Sequence, residues 1–177
     1  MIAVCAGAGG HSGLTSPFAL ATEIREVFDG TIVLSGALNT GAQIAAVRVM
    51  GADMAYLGTR FLATKEAMVA NDYKQMVVDA SAADILYTPN ISGINANFLR
   101  PSIKAAGLDP DHLVPHAEMA LQNGAKAWST IWSAGQGTGG IHDLPSAGAL
   151  CQRLADEYRA AMRTAASDTF AAQGHGR

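Results

Sequence analysis

Charge is scarce in this chain and weakly biased: 15% of its 177 residues are charged, and the formal net charge is -3. Its Lys and Arg residues are scattered, whereas nucleic acid and anionic membrane surfaces demand clustered cations. Long apolar runs are missing too. Gly or a polar residue breaks each one well short of the roughly 18 to 20 residues a membrane-spanning helix needs. Cysteine is limited to Cys5 and Cys151, too few for a disulfide framework and without zinc-site spacing. Both are expected as small core residues in a reducing compartment. "MIAVCAGAG" has neither a basic n-region nor a small-residue cleavage site behind an apolar stretch, so it does not read as a signal peptide. The expectation is a cytoplasmic protein with no nucleic-acid, membrane or metal partner. No repeat of solenoid length is visible.

What is present is apolar material: 49% of residues are hydrophobic, enough for one sizeable core. Residues 1–61 alternate short apolar runs with longer amphipathic ones, the rhythm of parallel βα units. "IAVCA" reads as a buried strand. In "SPFALATEIREVF", Ser16 can cap a helix, Pro17 suits its first position, and Phe18, Ala21, Ile24 and Phe28 share a face. "TIVLSG" is a second strand without polar alternation, as a strand buried on both sides should be. In "TGAQIAAVRVMG", Thr40 and Gln43 have capping-box spacing, Ile44 and Val47 face inward, and Gly51 stops the helix. "MAYLGTRF" reads as a third strand.

Beyond Phe61 the rhythm changes. "TKEAMVANDYKQMVVDASAAD" is helical in composition, a loop-rich stretch with a short helix after Pro101 follows, and "PHAEMALQNGA" reads as a helix ending at Gly124. The expected division is 1–64 for the α/β part, 65–125 for a small helical subdomain, 126–165 for a return segment and closing helix, and 166–177 for a flexible tail. Leu150, Leu154, Tyr158 and Met162 mark the inner side of the closing helix.

Three glycine-rich turns could carry chemistry. Gly135, Gly137 and Gly140 in "GQGTGG" match a dinucleotide fingerprint, with Asp156 and Glu157 about 20 residues on. The fingerprint needs a helix opening from its third glycine and an acid on a second strand, whereas Asp156 and Glu157 read as helical, so that assignment is rejected. The other two, "SGALNTG" and "GTRF", follow successive parallel strands. Backbone N–H groups at such turns and at helix starts can hold a phosphate without lysine. Gly36 and Gly58 would admit close backbone approach, and Thr59 could add a hydroxyl donor. The same two glycines could equally serve tight βα turns and nothing more. "GAGGHSG" lies at the end of the first strand and opens on the same side. His11, flanked by glycines, has room for a planar ligand, and an imidazole exchanges protons near neutral pH. His112, His116, His142 and His175 lack convergent partners and read as solvated or capping.

"AGAGGHSG", "LSGALNTGAQIAAVRVMGADMAYLGTRFLATKEA" and "SAGQGTGGIHDLPS" together resemble the nitronate monooxygenase (2-nitropropane dioxygenase-like) family of FMN-dependent TIM-barrel flavoproteins. The resemblance implies a partial (β/α)8 barrel made of its last three βα strands, joined to a small helical subdomain, and FMN as cofactor. It implies that His11 is catalytic and sits over the flavin, that Gly9 and Gly10 line the isoalloxazine edge, and that Ser35, Gly36 and Ala37 grip the phosphate with Tyr56, Leu57, Gly58 and Thr59. Two positions depart from the family pattern. Ala37 replaces the usual second glycine of the phosphate turn, and Val4 stands where a polar residue, commonly glutamine, is usual.

The implied reaction is oxidation of an alkyl nitronate, or of a nitroalkane after deprotonation, by FMN and O2 to a carbonyl compound and nitrite. Two alternatives share the glycine turns: an FMN-dependent enoyl-acyl-carrier-protein reductase, and a non-catalytic flavin- or phosphate-binding remnant. By the resemblance "MIAV" is the sixth strand of a barrel that closes with eight strands in about 250 residues. The chain is then expected either to belong to a longer reading frame or to need a missing N-terminal half-barrel or self-association. Alone it would leave a strand edge unpaired and hold FMN weakly.

Overall fold

A computed structural model describes residues 1–117 and 129–168. Short apolar segments behind Gly-rich turns become strands β1 (Ile2–Val4), β3 (Val33–Ser35) and β4 (Met54–Tyr56), which form a parallel sheet in the order β1-β3-β4. The register places Ile2, Val33 and Met54 in one row and Val4, Ser35 and Tyr56 in another. Side chains alternate across a strand. Ala3, Cys5 and Leu34 therefore point to the opposite face, where they pack with Ala21, Ile32, Val47 and Ala52. Ile2 is 61% exposed, and Met54 and Tyr56 are each 57% exposed. One sheet face is thus a core and the other an open apolar surface.

Helices α1 (Pro17–Val27) and α2 (Gly41–Val49) are the crossovers. Ser16 Oγ accepts from Ala19 N, and Pro17 opens α1 as expected. Ala21 is buried and Leu20, Ile24 and Phe28 pack against the core, but Phe18 is exposed, so the inward face starts at Leu20 rather than at Phe18. Thr40 and Gln43 form the anticipated capping box on α2, and Gly51 takes a left-handed φ of 98° at its end. The third strand is shorter than "MAYLGTRF". It stops at Tyr56, and Thr59–Leu62 wind into one helical turn, α3.

Residues past Leu62 add strands to the small helical subdomain, with its loop-rich stretch, expected for 65–125. Helix α4 (Asn71–Asp79) is present, but Ile85–Thr88 and Ala96–Leu99 form an antiparallel hairpin, β5–β6, followed by α5 (Arg100–Ala105). A two-residue strand from the first glycine turn, β2 (Gly10–His11), pairs with β6, giving a second sheet in the order β2-β6-β5. Strand β6 is buried along its whole length, so "ANFL" shows no alternation, and its asparagine reads locally as a loop residue. Ile91, Ala96, Phe98, Ile103 and Ile131 form the core under this hairpin. The helix expected at "PHAEMALQNGA" lies largely outside the described residues, as does His175.

The closing helix α6 (Ala147–Ala166) is capped by Ser146 and buries Leu150 and Leu154. It packs on α2 at Gly41, where a Cβ would fall 2.2 Å from Leu154 O and 2.4 Å from Tyr158 N. Only glycine permits that approach. Cys5 is buried, and burial pushes its thiol pKa up, while Cys151 is exposed on α6, contrary to the expectation that both lie in the core. Among the described residues no helix is long and apolar enough to cross a membrane.

Candidate active site

The ends of β1, β3 and β4 converge on one cleft of about 200 Å³. Gly7, Ala8 and Gly9 reach it from β1, Ser35 to Asn39 from β3, and Tyr56, Gly58 and Thr59 from β4. The wall opposite is the return segment, through Ser133, Gly135 and Gly137. Of the residues singled out in the sequence, the cleft thus gathers Gly9, Ser35, Gly36, Ala37, Tyr56, Gly58 and Thr59. His11, Gly10 and Leu57 are not in its lining. His11 is exposed on β2, two residues from Gly9; Gly10 is buried with φ 72°; Leu57 is half-buried.

Backbone-level ties hold the segments together. Gln136 N donates to Gly7 O at 2.9 Å, Gly135 N donates to Thr59 Oγ1 at 2.9 Å, and Asn39 Nδ2 donates to Gly137 O. A Cβ at Gly135 would lie 2.5 Å from Gly7 O, and one at Gly137 would lie 2.9 Å from Ala37 O. These glycines are required by close packing of chain on chain. The third glycine turn therefore belongs to the same cleft, although its dinucleotide reading fails: Gln136–Gly140 is a 3-10 turn, and Asp156 and Glu157 lie on α6.

Gly36 and Gly58 differ in what their surroundings require. Gly36 has φ 143°, and a Cβ there would meet Ala6 O at 2.9 Å, so the turn itself demands glycine. Gly58 has φ -105°, which other residues adopt, and nothing stands within 4 Å of the place a Cβ would take. Neither backbone nor packing explains a glycine at 58. Ala37 occupies φ 55°, the left-handed region where glycine is usual.

The start of α2 is already filled by the protein. Gly41 N donates to Glu157 Oε2 at 2.7 Å, Gln43 N to Thr40 Oγ1 at 3.2 Å, and Asn39 N to Gln43 Oε1 at 2.7 Å. A carboxylate from α6 thus takes the place an anion would occupy at that helix end. Asn39 is 6% exposed, and its Oδ1, opposite the amide nitrogen bound to Gly137 O, has no donor among the described residues. Sequence reasoning missed Asn39; its place between a strand-end glycine turn and a capping threonine was the available signal.

Charges nearby are structural. Arg60, 3% exposed, donates from Nη2 to Asp143 Oδ1 at 2.7 Å, and Arg153 binds the other oxygen at 2.6 Å. The two guanidiniums, Arg153 foremost, hold the Asp143 carboxyl below its ordinary pKa. Tyr73 stacks on Trp132 with ring centroids 4.9 Å apart and donates to Ser133 O behind the cleft; burial raises its phenol pKa. His112 is exposed and pairs with Asp109 at 2.7 Å, which raises its pKa, and His116 Nδ1 contacts Ile91 O at 2.8 Å. His142 is exposed. No group of three or more His, Cys, Asp or Glu side chains among the described residues could hold a metal ion.

Comparison with known proteins bears on this arrangement. The sequence profile of nitronate monooxygenase matches residues 1–157. A nitronate monooxygenase of Paraburkholderia phytofirmans is 31% identical over 166 residues, covering 82% of this chain and 45% of the relative. The crystal structure of a nitroalkane oxidase from Streptomyces ansochromogenes superposes with a TM-score of 0.70 at 34% identity, covering 94% of this chain and 53% of that one. FabK of Thermotoga maritima shares the fold, with a TM-score of 0.71 at 21% identity, covering 92% of this chain and 55% of that one. The chain spans about half the length of these relatives. With its glycine turns gathered around one cleft, its parallel α/β sheet and the family profile matched over residues 1–157, the chain belongs to the nitronate monooxygenase family of FMN-dependent oxidoreductases.

Proposed function

We propose that the cleft holds the phosphate-bearing tail of FMN and that the chain contributes to oxidation of alkyl nitronates or nitroalkanes by O2, giving a carbonyl compound and nitrite. The observation that carries this reading is the open space at Gly58, on the rim of a cleft built from three strand-end turns. The residues present fit such a tail. Amides of Gly36, Ala37, Gly58 and Thr59 would serve the phosphate, and Asn39 Oδ1, without a donor among the described residues, would accept from a hydroxyl of the kind a ribityl chain carries. Thr59 Oγ1 already accepts from Gly135 N, which leaves its own proton to donate. A volume of about 200 Å³ is below the roughly 300 to 1,000 Å³ of pockets that enclose a whole drug-sized ligand, so the ring system would extend beyond the cleft, past Gly9 and Gly10 toward His11.

FMN, when bound, supplies the redox chemistry. His11 would accept the α-proton of a nitroalkane on an imidazole nitrogen; a nitronate has already lost that proton, and there the imidazole would orient the anionic nitro oxygens. Val4 and Tyr56 share one row on the open sheet face and would offer the ring an apolar and aromatic surface, in place of the polar contact usual in the family. Residues 1–64 act in this reading as the C-terminal part of a barrel. The exposed row of Ile2 and Met54 and the two unpaired strand edges would then be covered by further βα units or by self-association.

Titration of the chain with FMN, followed by flavin fluorescence, tests the cradle, and nitrite release from an alkyl nitronate tests the chemistry. The reading predicts saturable FMN binding that is lost with a bulky residue at Gly58, and nitrite release that is lost in His11→Ala. Turnover of NADH with an enoyl thioester in place of nitrite release would assign the alternative reductase activity. FMN binding with no turnover in either assay, and equal affinity in His11→Ala, would assign the non-catalytic role.

A further inference from the structure

The β5–β6 hairpin makes contacts that its own stability does not explain. Asn97, 1% exposed on β6, sends its side chain to the first glycine turn: Nδ2 donates to Ala8 O at 2.7 Å and to Ser12 Oγ at 3.0 Å. From β5, Tyr87 donates its hydroxyl proton to Ser12 O at 3.0 Å. Backbone pairing sets Gly10 opposite Asn97 and His11 opposite Ala96. On the other side Gly9 is wedged between strand-end and return segments, since a Cβ there would lie 2.9 Å from both Gly135 N and Thr59 Oγ1. Residues 8 to 12 are therefore gripped at both ends of the two-residue strand that carries His11, and the grip comes from a hairpin about 75 to 90 positions away in sequence.

We propose that Asn97 is a positioning residue for His11, assisted by Tyr87, and that the hairpin is a clamp fixing the imidazole at the cleft rim. The inference rests on the reading of His11 as the proton-handling or substrate-orienting group. One amide side chain bridges both flanks of the histidine, so its removal frees the turn at two points while the phosphate end of the cleft, at Gly36 and Gly58, keeps every bond it has. Catalytic geometry tolerates little slack. A loosened histidine turn lowers kcat while flavin affinity and KM stay near wild type.

The test compares wild type with Asn97→Ala, Asn97→Leu and Tyr87→Phe in the full chain. Amide hydrogen exchange in a peptide spanning residues 5–13 should accelerate about tenfold or more in both Asn97 variants, as loss of hydrogen bonds worth about 1 kcal/mol each implies. It should accelerate less in Tyr87→Phe. Exchange in α1 and α2 should stay at the wild-type rate. Leucine matches asparagine in size without its donor, so wild-type protection in Asn97→Leu would reduce the residue to packing and overturn the proposal. Uniform acceleration across the chain, or none at residues 5–13, would overturn it too. Failure of the underlying reading is distinguishable: His11→Ala would leave nitrite release and FMN titration unchanged, while exchange at residues 5–13 still followed Asn97.

Discussion

Thr59 Oγ1 accepts the amide proton of Gly135 at 2.9 Å and so joins the turn after β4 to the return segment across the cleft. Thr59→Val removes the acceptor and leaves a part-buried N–H unmatched, a cost of about 1 to 3 kcal/mol. Thr59→Ser keeps the oxygen and should stay within about 1 kcal/mol of wild type. Urea denaturation of the two variants checks this, with Thr59→Val unfolding at the lower midpoint.

Gly36 and Gly58 should respond to alanine in opposite ways. At Gly36 the φ of 143° and the nearby Ala6 O make a Cβ a steric fault, and Gly36→Ala should lose more than about 1 kcal/mol of folding stability. Gly58→Ala meets only open space and should melt like wild type, within about 0.5 kcal/mol. Its FMN affinity should fall about tenfold, equivalent to about 1.4 kcal/mol, because the methyl group enters the cleft. Thermal melts with and without FMN separate the two effects.

Ala37 carries a left-handed backbone at φ 55°. Relief of about 1 to 2 kcal/mol of strain in Ala37→Gly is partly offset by about 0.4 to 1 kcal/mol of added freedom in the unfolded chain. A net gain of about 0.5 kcal/mol is expected, and Ala37→Val, with a branched Cβ, should be less stable than wild type. Chemical denaturation midpoints order the three.

Asp143 links Arg60, nearly buried, to Arg153. Asp143→Asn leaves the Arg60 charge without its carboxylate and should cost about 2 kcal/mol, less than the 3 to 5 of a fully buried pair because Asp143 is partly exposed. The pH dependence follows from the same contact. Bonds from Arg153, then the fields of Arg153 and Arg60, hold the Asp143 pKa in the folded state below 3.8. Between the folded and unfolded values the unfolded chain binds more protons, so stability rises with pH there. The contribution is fully present above the unfolded value and disappears as pH falls through the folded one. In Asp143→Asn the acid side of the stability profile should be shallower, measured by melts between pH 2 and 6.

The parallel sheet was legible because each of its parts announces itself locally. Thr40 and Gln43 carry their capping geometry in their spacing, and Pro17 behind Ser16 marks one boundary of α1. The hairpin was not, since "ILYT" and "ANFL" are short and without period, and the outer partner of "ANFL", Gly10–His11, is some 85 residues distant in sequence. Site residues on turns directly after strands were readable for the same reason the strands were. Asn39 was overlooked although it stands between a strand-end glycine turn and the capping Thr40, whereas Ser133 and Asn97 were not readable: their roles arise from tertiary contacts, and nothing in their neighbours encodes where an amide or carbonyl will be met.

The contrast between Cys5 and Cys151 has a practical use. These are the chain's two thiols; one is sealed beneath the parallel sheet, with its ionisation suppressed, and the other faces solvent on the closing helix. A maleimide dye will therefore attach to a single defined point without any engineered substitution. Its anisotropy would report in real time when α6 lifts away from α2, and delayed reaction of the second thiol would time the opening of the sheet layer itself.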